Sequence, residues 1–314
     1  MESNFSNPDA AAILWLALLA LTAVAYGSAV YRRSPYSAWE NVLYLPVYLW
    51  GRLLWHVHFT NDPPTELAHG AILVANHRSS VDPFFVQLAA RRRVHWMVAR
   101  EYCENPVSGP ILKALQVIPT NRSGMDTAST KTAIRIAREG RLVGMFPEGR
   151  LNHTRDPLVS IRSGAALVAM RAGVPIIPIY ILGSPYRRTV WSPLIMRADV
   201  EITFGCPIDP RSERADNTAI TTETTGSADR VDETETSHTV DGSASANENG
   251  QSDSSSRAKN EGRDKKEDLV VAEKLILRWA GQILALAGSP DWPIKLAGRS
   301  RLNNSSNPNT TEEP

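Results

Sequence analysis

The stretch Asn76-His77-Arg78-Ser79-Ser80-Val81-Asp82-Pro83 directly follows the apolar run Ala71-Ile72-Leu73-Val74-Ala75. A short run rich in Ile, Leu and Val that ends at a polar cluster predicts a buried strand, whose end delivers polar side chains to one edge of a sheet. Proline suits the first turn of a helix, and apolar residues follow it, so a helix is predicted to open here. Ser79, Ser80 or Asp82 could cap that helix, and the sequence does not choose among them.

His77 and Asp82 are the candidate chemical groups of this stretch. At a junction between a strand and a helix, the carboxylate can accept the proton on one imidazole nitrogen, which leaves the other nitrogen free to act as a base. A histidine near an aspartate is more often a structural pair than a catalytic one. The stretch alone leaves both interpretations open.

Apolar runs of strand length alternate with helical patterns through the middle of the chain. Strands are predicted at 94–99, 142–146, 174–181 and 198–204, and helices at 109–115, 130–137, 164–172 and 267–287. This alternation is typical of an α/β fold. Polar residues gather where the apolar strands end, which is where open α/β sheets bind ligands.

The amino-terminal region predicts a membrane anchor at residues 1–35. Residues 10–31 carry no charge, and such a helix is long enough to cross a hydrocarbon core of ~30 Å. Arg32-Arg33 follow the apolar run, so the positive-inside rule places the amino terminus outside and the remainder in the cytoplasm. A cleaved signal peptide is the alternative, because Ala23-Val24-Ala25 resembles a cleavage site, but the start lacks the usual positive charge.

Residues 36–60 form a second aromatic and apolar stretch, interrupted by Glu40, Pro46 and Arg52. A stretch with charges and a proline is a poor membrane crossing, whereas its Trp and Tyr side chains prefer the membrane interface. We therefore predict an interfacial helical segment. Helices in the core of a soluble domain are the alternative.

The charge of the chain is unevenly distributed. The net charge is +1, which argues against a nucleic-acid partner, yet residues 211–268 carry 14 acidic and 8 basic side chains. Residues 211–266 contain few large aliphatic residues, so we predict a disordered acidic insertion there. Helical periodicity returns afterwards and predicts a C-terminal helical segment at 267–300, followed by a disordered tail at 301–314.

Four short motifs together resemble one known family, the glycerolipid acyltransferases that include the 1-acylglycerol-3-phosphate acyltransferases. The motifs are NHRSSVD at 76–82, IPTNR at 118–122, FPEGR at 146–150 and VPIIPI at 174–179. Each is weak alone, and the ordered set is specific. The resemblance covers residues 50–208, and it implies an acyltransferase α/β domain at 61–210 with a mixed sheet flanked by helices.

The resemblance implies catalytic roles for His77 and Asp82. The family reaction is attack of a glycerol hydroxyl on an acyl thioester, in which His77 would serve as general base and Asp82 would orient it. Such a hydroxyl is almost entirely protonated at neutral pH, so it needs a base within hydrogen-bond reach.

The resemblance also implies residues that bind the phosphate of the acceptor. Arg122 falls on the arginine of the second motif, and a planar guanidinium can hold phosphate through two hydrogen bonds. Glu148 and Gly149 match the third motif, with Glu148 orienting the acceptor or Arg122, or pairing with a nearby arginine. In many relatives the third motif continues with Thr-Arg, whereas here Arg150 follows Gly149 directly, so the arginine stands one position early and the threonine is absent. Arg162, which precedes Ser163-Gly164, is a further candidate.

The expected function is transfer of an acyl chain to the sn-2 hydroxyl of 1-acylglycerol 3-phosphate, a lysophospholipid, at a membrane. Acyl-CoA or acyl carrier protein would be the donor and co-substrate, with no other cofactor and no metal. The same chemistry on glycerol 3-phosphate or another lysolipid is one alternative. A non-catalytic lipid-binding membrane protein is an alternative of another class.

Overall fold

The computed structural model describes residues 8–33, 36–121, 126–186, 189, 191–215 and 252–297. The helices are α1 (Pro8–Arg33), α2 (Ala38–Leu53), α3 (Asp82–Ala90), α4 (Arg100–Cys103), α5 (Gly109–Ala114), α6 (Thr127–Arg138), α7 (Gly164–Ala172) and α8 (Ser252–Leu286). The strands are β1 (His58–Phe59), β2 (Ala71–Ala75), β3 (Val94–Ala99), β4 (Ile118–Thr120), β5 (Leu142–Met145), β6 (Ile176–Leu182) and β7 (Glu201–Phe204). Short 3-10 helices occupy Thr65–Ala68 and Ser192–Ile195.

Within these described ranges, the strands form one seven-stranded sheet in the order β1-β7-β6-β2-β5-β3-β4. Strands β6, β2, β5, β3 and β4 run parallel to one another, whereas β7 is antiparallel to β6 and β1 runs with β7. The prediction of an α/β fold with a mixed sheet is confirmed. Because β7 is antiparallel to β6, the first residue of β7 lies beside the last residue of β6.

Strand β2 is the centre of the sheet, and every one of its residues is buried. Ile72 and Val74 pack against the apolar faces of α6, α7 and α8, whereas Leu73 packs with Phe85 and Trp55 on the other face. Alternate side chains of a strand point to opposite faces, so a strand covered on both sides must be apolar throughout. The continuous apolar run in the sequence therefore reflects a three-layer architecture.

Helix α1 contains the one candidate membrane span among the described residues, Asp9–Ala29, with a mean hydropathy of 2.1. Length and composition are the basis of this assignment. Many of its large apolar side chains point away from protein, among them Trp15, which is 70% exposed.

The boundaries of two predicted segments differ from the structure. Strand β1 pairs with β7, so the sheet reaches back into the segment predicted to be interfacial, of which residues 38–53 are helical. Helix α8 begins at Ser252, inside the predicted disordered insertion. The Arg, Lys and Glu residues at 257–268 are good helix formers, and no proline separates them from the apolar part of the helix.

The beginning of the predicted insertion also packs on the domain. Residues 210–215 are helical, and the buried Glu213 pairs with Arg278 of α8, while Arg214 pairs with Asp268. The remainder of the insertion, residues 216–251, and the predicted tail at 301–314 lie outside the described residues.

Candidate active site

Three neighbouring strands deliver the candidate site residues to one edge of the sheet. Strands β6, β2 and β5 are parallel neighbours, so their carboxyl ends lie side by side. His77 follows β2, Glu148 follows β5 and Ser184 follows β6. The sheet thus brings together residues that are far apart in the chain, at the edge where open sheets of this kind bind ligands.

His77 and Asp82 form a hydrogen-bonded pair at this edge. The Nδ1 atom of His77 lies 3.0 Å from Oδ2 of Asp82, which also accepts 2.7 Å hydrogen bonds from the backbone N–H groups of Arg78 and Ser79. Because Oδ2 accepts from both backbone donors, the ring nitrogen that faces it carries the proton. The side chain of Asp82 is fully buried and that of His77 is 17% exposed.

The start of α3 differs from each of the predicted caps. The helix begins at Asp82 after Val81, and no side chain caps its N-terminal N–H groups. The sequence offers Ser79, Ser80 and Asp82 as candidate caps. The carboxylate of Asp82 instead turns back onto the preceding turn, where it accepts from Arg78, Ser79 and His77. The aspartate therefore organises residues 76–81, called the histidine loop below, rather than the helix.

An aromatic stack holds the imidazole of His77. The ring of Phe146 lies 3.8 Å from it, centroid to centroid, at an interplanar angle of 11°, and Trp96 stacks on Phe146 at 4.7 Å. Gly144 makes room for this stack, because a Cβ atom there would lie 2.6 Å from the indole of Trp96. One face of the imidazole is thus covered, and the ring is held in one plane.

Glu148 supports the backbone of the histidine loop. Its Oε1 atom accepts a 2.9 Å hydrogen bond from the N–H of His77, and Oε2 accepts a 3.1 Å bond from the N–H of Val159. Burial raises the pKa of this carboxyl, and the bond from His77 opposes that rise. Here the sequence suggested the acceptor, Arg122 or a nearby arginine as the partner, and the structure shows backbone partners.

We expect Glu148→Gln to lower the free energy of unfolding by ~1–3 kcal/mol, because an amide has one acceptor oxygen and would leave the partly buried N–H of His77 or Val159 without a partner. The pH dependence has a defined sign. Because the pKa of Glu148 is higher in the folded protein than in the unfolded chain, protonation of Glu148 stabilises the fold. This stabilisation is complete at a pH below the pKa of the unfolded chain, and it is lost as the pH rises through the pKa of the folded protein. Unfolding in detergent, followed by circular dichroism from acidic to neutral pH, measures both effects. A variant with wild-type stability at every pH would contradict this assignment.

The remaining predicted phosphate ligands surround the turn after β5. Gly149 adopts a left-handed φ of +67°, and the guanidinium of Arg162 lies over it, since a Cβ atom on Gly149 would be 3.1 Å from Nε of Arg162. Arg150 and Arg162 are both exposed. Arg122, from the second motif, lies outside the described residues, although β4 ends two positions before it at the same edge of the sheet.

The chain after Gly149 departs from the family pattern, and it packs on the histidine loop. The N–H of Asn152 donates a 2.6 Å hydrogen bond to the carbonyl of His77. Arg78 donates from Nη1 to the carbonyl of Thr154 at 2.8 Å, and the buried Asn152 side chain accepts from both the N–H and the hydroxyl of Thr154. Asn152 therefore shapes the wall of the site beside His77.

Ser184 is a site residue that the sequence reasoning missed. Its hydroxyl donates a 2.7 Å hydrogen bond to Oδ1 of Asp82, from a position 102 residues further along the chain. Ser184 lies outside all four motifs, just after the strand that carries the fourth motif. Its position at the carboxyl end of a parallel strand was the available signal.

We expect Ser184→Ala to lower kcat about tenfold, since a hydrogen bond to a charged group contributes ~1.5–3 kcal/mol and only part of it bears on the position of His77. The KM of the substrate should change little, because the hydrogen bond of Ser184 is to Asp82. Ser184→Thr keeps the hydroxyl and should restore most of the rate. Equal losses in the alanine and threonine variants would exclude a role for the hydroxyl.

Comparison with known proteins identifies the class of this domain. Residues 56–182 match the sequence model of the Acyltransferase family. The match includes the motifs that carry His77, Asp82 and Glu148, and it confirms the resemblance inferred from the sequence.

The similar proteins share one printed name, 1-acyl-sn-glycerol-3-phosphate acyltransferase. The Streptococcus pneumoniae protein is 30% identical over 165 residues, which is 50% of this chain and 59% of that protein. The Bacillus subtilis protein is 28% identical over 35% of this chain and 54% of its own length. The human protein named beta is 31% identical over 36% of this chain and 41% of its own length. The chain spans about half the length of these relatives.

A solved structure is also similar to this chain. It is the crystal structure of the 1-acyl-sn-glycerophosphate acyltransferase from Thermotoga maritima, with a TM-score of 0.44 and 20% sequence identity. The alignment covers 70% of this chain and 96% of the other.

Proposed function

We propose that this protein is a membrane-bound O-acyltransferase that moves an acyl chain from acyl-CoA or acyl carrier protein to the sn-2 hydroxyl of 1-acylglycerol 3-phosphate, giving phosphatidic acid. The observation that carries the proposal is the geometry of the imidazole of His77. Its Nδ1 is held by the buried Asp82 and its side chain is partly exposed, so Nε2 is the nitrogen proposed to meet the acceptor hydroxyl. The names of the similar proteins support the choice of acceptor.

In the proposed mechanism, Nε2 of His77 accepts the proton of the sn-2 hydroxyl as the oxygen attacks the carbonyl carbon of the thioester. The bond from carbon to sulfur then breaks, and the leaving thiolate takes the proton back from the imidazolium. Asp82 stabilises the imidazolium between these steps, and it fixes the tautomer at the start. Phe146 keeps the ring in the plane that both proton transfers require.

The phosphate of the acceptor is proposed to bind the arginines around the turn after β5. Arg150 and Arg162 are exposed at this turn, and Gly149 allows the guanidinium of Arg162 to approach the backbone closely. Arg122 is proposed as a further ligand, on the basis of the sequence motif. Glu148 would act by fixing the backbone of His77, through its bond to that N–H.

Membrane attachment is proposed through α1 as a single-pass anchor, with the catalytic domain on the cytoplasmic side. The apolar stretch Asp9–Ala29 supports the anchor, and Arg32-Arg33 at its end support the orientation. A lysophospholipid is an amphiphile presented by the bilayer, so an anchored enzyme is suited to this substrate.

The test is an acyl-transfer assay on the full chain in vesicles, with labelled acyl-CoA or acyl carrier protein and a panel of acceptors. We expect phosphatidic acid from 1-acylglycerol 3-phosphate. The departure of the chain after Gly149 places Asn152 against His77, so glycerol 3-phosphate and other lysolipids belong in the panel. A faster reaction with one of these would reassign the acceptor, and no transfer to any acceptor would favour a lipid-binding protein without catalysis.

A further inference from the structure

The chain segments that follow β5 and β6 contact each other at the active-site edge of the sheet. The imidazole of His153, which follows β5, stacks on the phenol ring of Tyr186, which follows β6. Their ring centroids lie 4.6 Å apart, at an interplanar angle of 24°. This separation is within the range that aromatic pairs prefer. The two rings are called the aromatic bridge below.

The aromatic bridge joins segments from either side of the central strand. Strand β2 lies between β5 and β6 in the sheet, and the histidine loop follows β2. A contact between the segments that leave the two flanking strands must therefore pass over or beside the histidine loop. The bridge thus borders the space around the catalytic pair.

The His153 side of the bridge is fixed to the histidine loop. Asn152, the residue before His153, donates its backbone N–H to the carbonyl of His77 at 2.6 Å. The guanidinium of Arg78 donates a 2.8 Å hydrogen bond to the carbonyl of Thr154, the residue after His153. Both neighbours of His153 are therefore bonded to the histidine loop, and its imidazole is held at a defined place beside that loop.

The Tyr186 side of the bridge is fixed to Asp82. Ser184, two residues before Tyr186, donates its hydroxyl to Oδ1 of Asp82 at 2.7 Å. Because consecutive Cα atoms are ~3.8 Å apart, the Cα atom of Tyr186 lies within ~8 Å of that of Ser184. The phenol ring remains 38% exposed. It is therefore an aromatic surface that a substrate can touch near the catalytic pair.

The proposed phosphate ligand Arg150 belongs to the same segment as one ring of the bridge. Arg150 is exposed and precedes His153, also exposed, by three residues. In 1-acylglycerol 3-phosphate, the carbon that carries the phosphate is bonded directly to the carbon that carries the reacting hydroxyl. When that hydroxyl reaches His77, the phosphate therefore lies close to the histidine loop. A group esterified to the phosphate would extend further, toward the space that the aromatic bridge borders.

We propose that the aromatic bridge limits the size of the group esterified to the acceptor phosphate, so that the site takes a phosphomonoester and rejects lysophospholipids with larger headgroups. This inference rests on the proposed function, since it takes His77 as the base. Specificity of this kind arises from a steric clash with the wrong substrate. A steric limit discriminates by size at constant charge, whereas arginine ligands discriminate by charge. The two causes of selectivity can therefore be separated.

The test compares two acceptors of equal charge and different size, 1-acylglycerol 3-(methyl phosphate) and 1-acylglycerol 3-phosphoglycerol. Both carry the same acyl chain and are supplied to the full chain at a fixed mole fraction in mixed micelles. We expect wild type to prefer the methyl ester by at least ~10-fold in kcat/KM, a usual discrimination for a small difference in substrate size. In the double variant His153→Ala with Tyr186→Ala, the preference should fall below about threefold.

Tyr186→Phe is the matched control, because it keeps the ring of the bridge and removes only the hydroxyl. It should retain the wild-type preference. Loss of the preference in Tyr186→Phe would assign the selectivity to the hydroxyl and overturn the size limit. An equal preference in wild type and in the double variant would also overturn it, as would a wild type that uses both acceptors equally. If the double variant does not fold, Tyr186→Ala alone is measured, since it leaves Ser184 in place.

Binding measured without an acyl donor separates this inference from the proposed function. Short-chain forms of the two acceptors are added to the full chain in detergent, and the shift of the thermal midpoint reports their relative affinities. The methyl ester should stabilise wild type more than the phosphoglycerol ester, and both should stabilise the double variant alike. An inactive protein with this pattern would refute the proposed function alone. An active protein without it would refute the size limit alone.

Discussion

Replacing His77 with alanine is expected to lower kcat for acyl transfer by ~10²- to 10⁴-fold, the usual contribution of a positioned general base. The KM of the acceptor should change far less, because the proposed phosphate ligands are other residues. The loss should not be recovered by raising the pH within the stable range, because a glycerol hydroxyl remains protonated there. Initial rates with labelled donor in vesicles measure the effect.

The control for His77→Ala is a measurement that shows whether the histidine loop keeps its fold. The loop is held through main-chain groups of residue 77, namely the N–H bonded to Glu148 and the carbonyl bonded to Asn152. Alanine keeps both groups, so circular dichroism and the thermal midpoint should stay close to wild type. A folded variant that retains the wild-type rate would refute the role of His77 as base.

Asp82→Asn is the second substitution with a large expected effect, a decrease in kcat of ~10²- to 10⁴-fold. If the amide oxygen replaces Oδ2, the imidazolium loses the charge that stabilises it. If the amide nitrogen takes that place, it donates to Nδ1 and moves the ring proton to Nε2, which can then no longer accept the substrate proton. Either orientation of the amide therefore impairs His77 as a base, the first by removing the stabilising charge and the second by changing the tautomer.

The Asp82→Asn variant also tests the network around the carboxylate. Ser184 can accept as well as donate, so an amide nitrogen facing it keeps a partner, while the amide oxygen receives the N–H groups of Arg78 and Ser79. We therefore expect a folded protein with low activity, measured by initial rates beside thermal unfolding. An active variant would show that the charge of Asp82 is dispensable, whereas an unfolded one would assign the residue to stability.

The parts of the fold that the sequence predicted are those with a strong local signal. Strands β2, β3, β5 and β6 and helix α7 are buried apolar segments, and α7 ends at Gly173 in a left-handed conformation that glycine adopts readily. Strand β4 spans Ile118–Thr120 and β1 spans His58–Phe59. Elements so short carry no measurable periodicity, and pairing with a neighbouring strand decides them.

The site was predictable where its geometry is local and not where it depends on strand order. His77 and Asp82 are five positions apart, so their contact follows from one turn of chain. Ser184, Phe146 and Asn152 reach the pair because β6 and β5 flank β2, and no sequence window contains that order. The partners of Glu148 are backbone groups, which any residue can provide, so residue type carried no signal for them.

The distance along the chain between Asp82 and Ser184 determines when the site can form during synthesis. Asp82 is synthesised early, whereas Ser184, whose hydroxyl bonds to it, is synthesised 102 residues later. Likewise, the carbonyl of Pro193 is synthesised 138 residues after Trp55, whose indole N–H bonds to it. Contacts of such long range close late, because the intervening chain must be ordered first. Until β6 leaves the ribosome, the central strand β2 lacks one of its two neighbours. A nascent chain that ends before residue 176 therefore leaves the backbone N–H and C=O groups along one edge of β2 without their partner strand, which favours pairing with other chains.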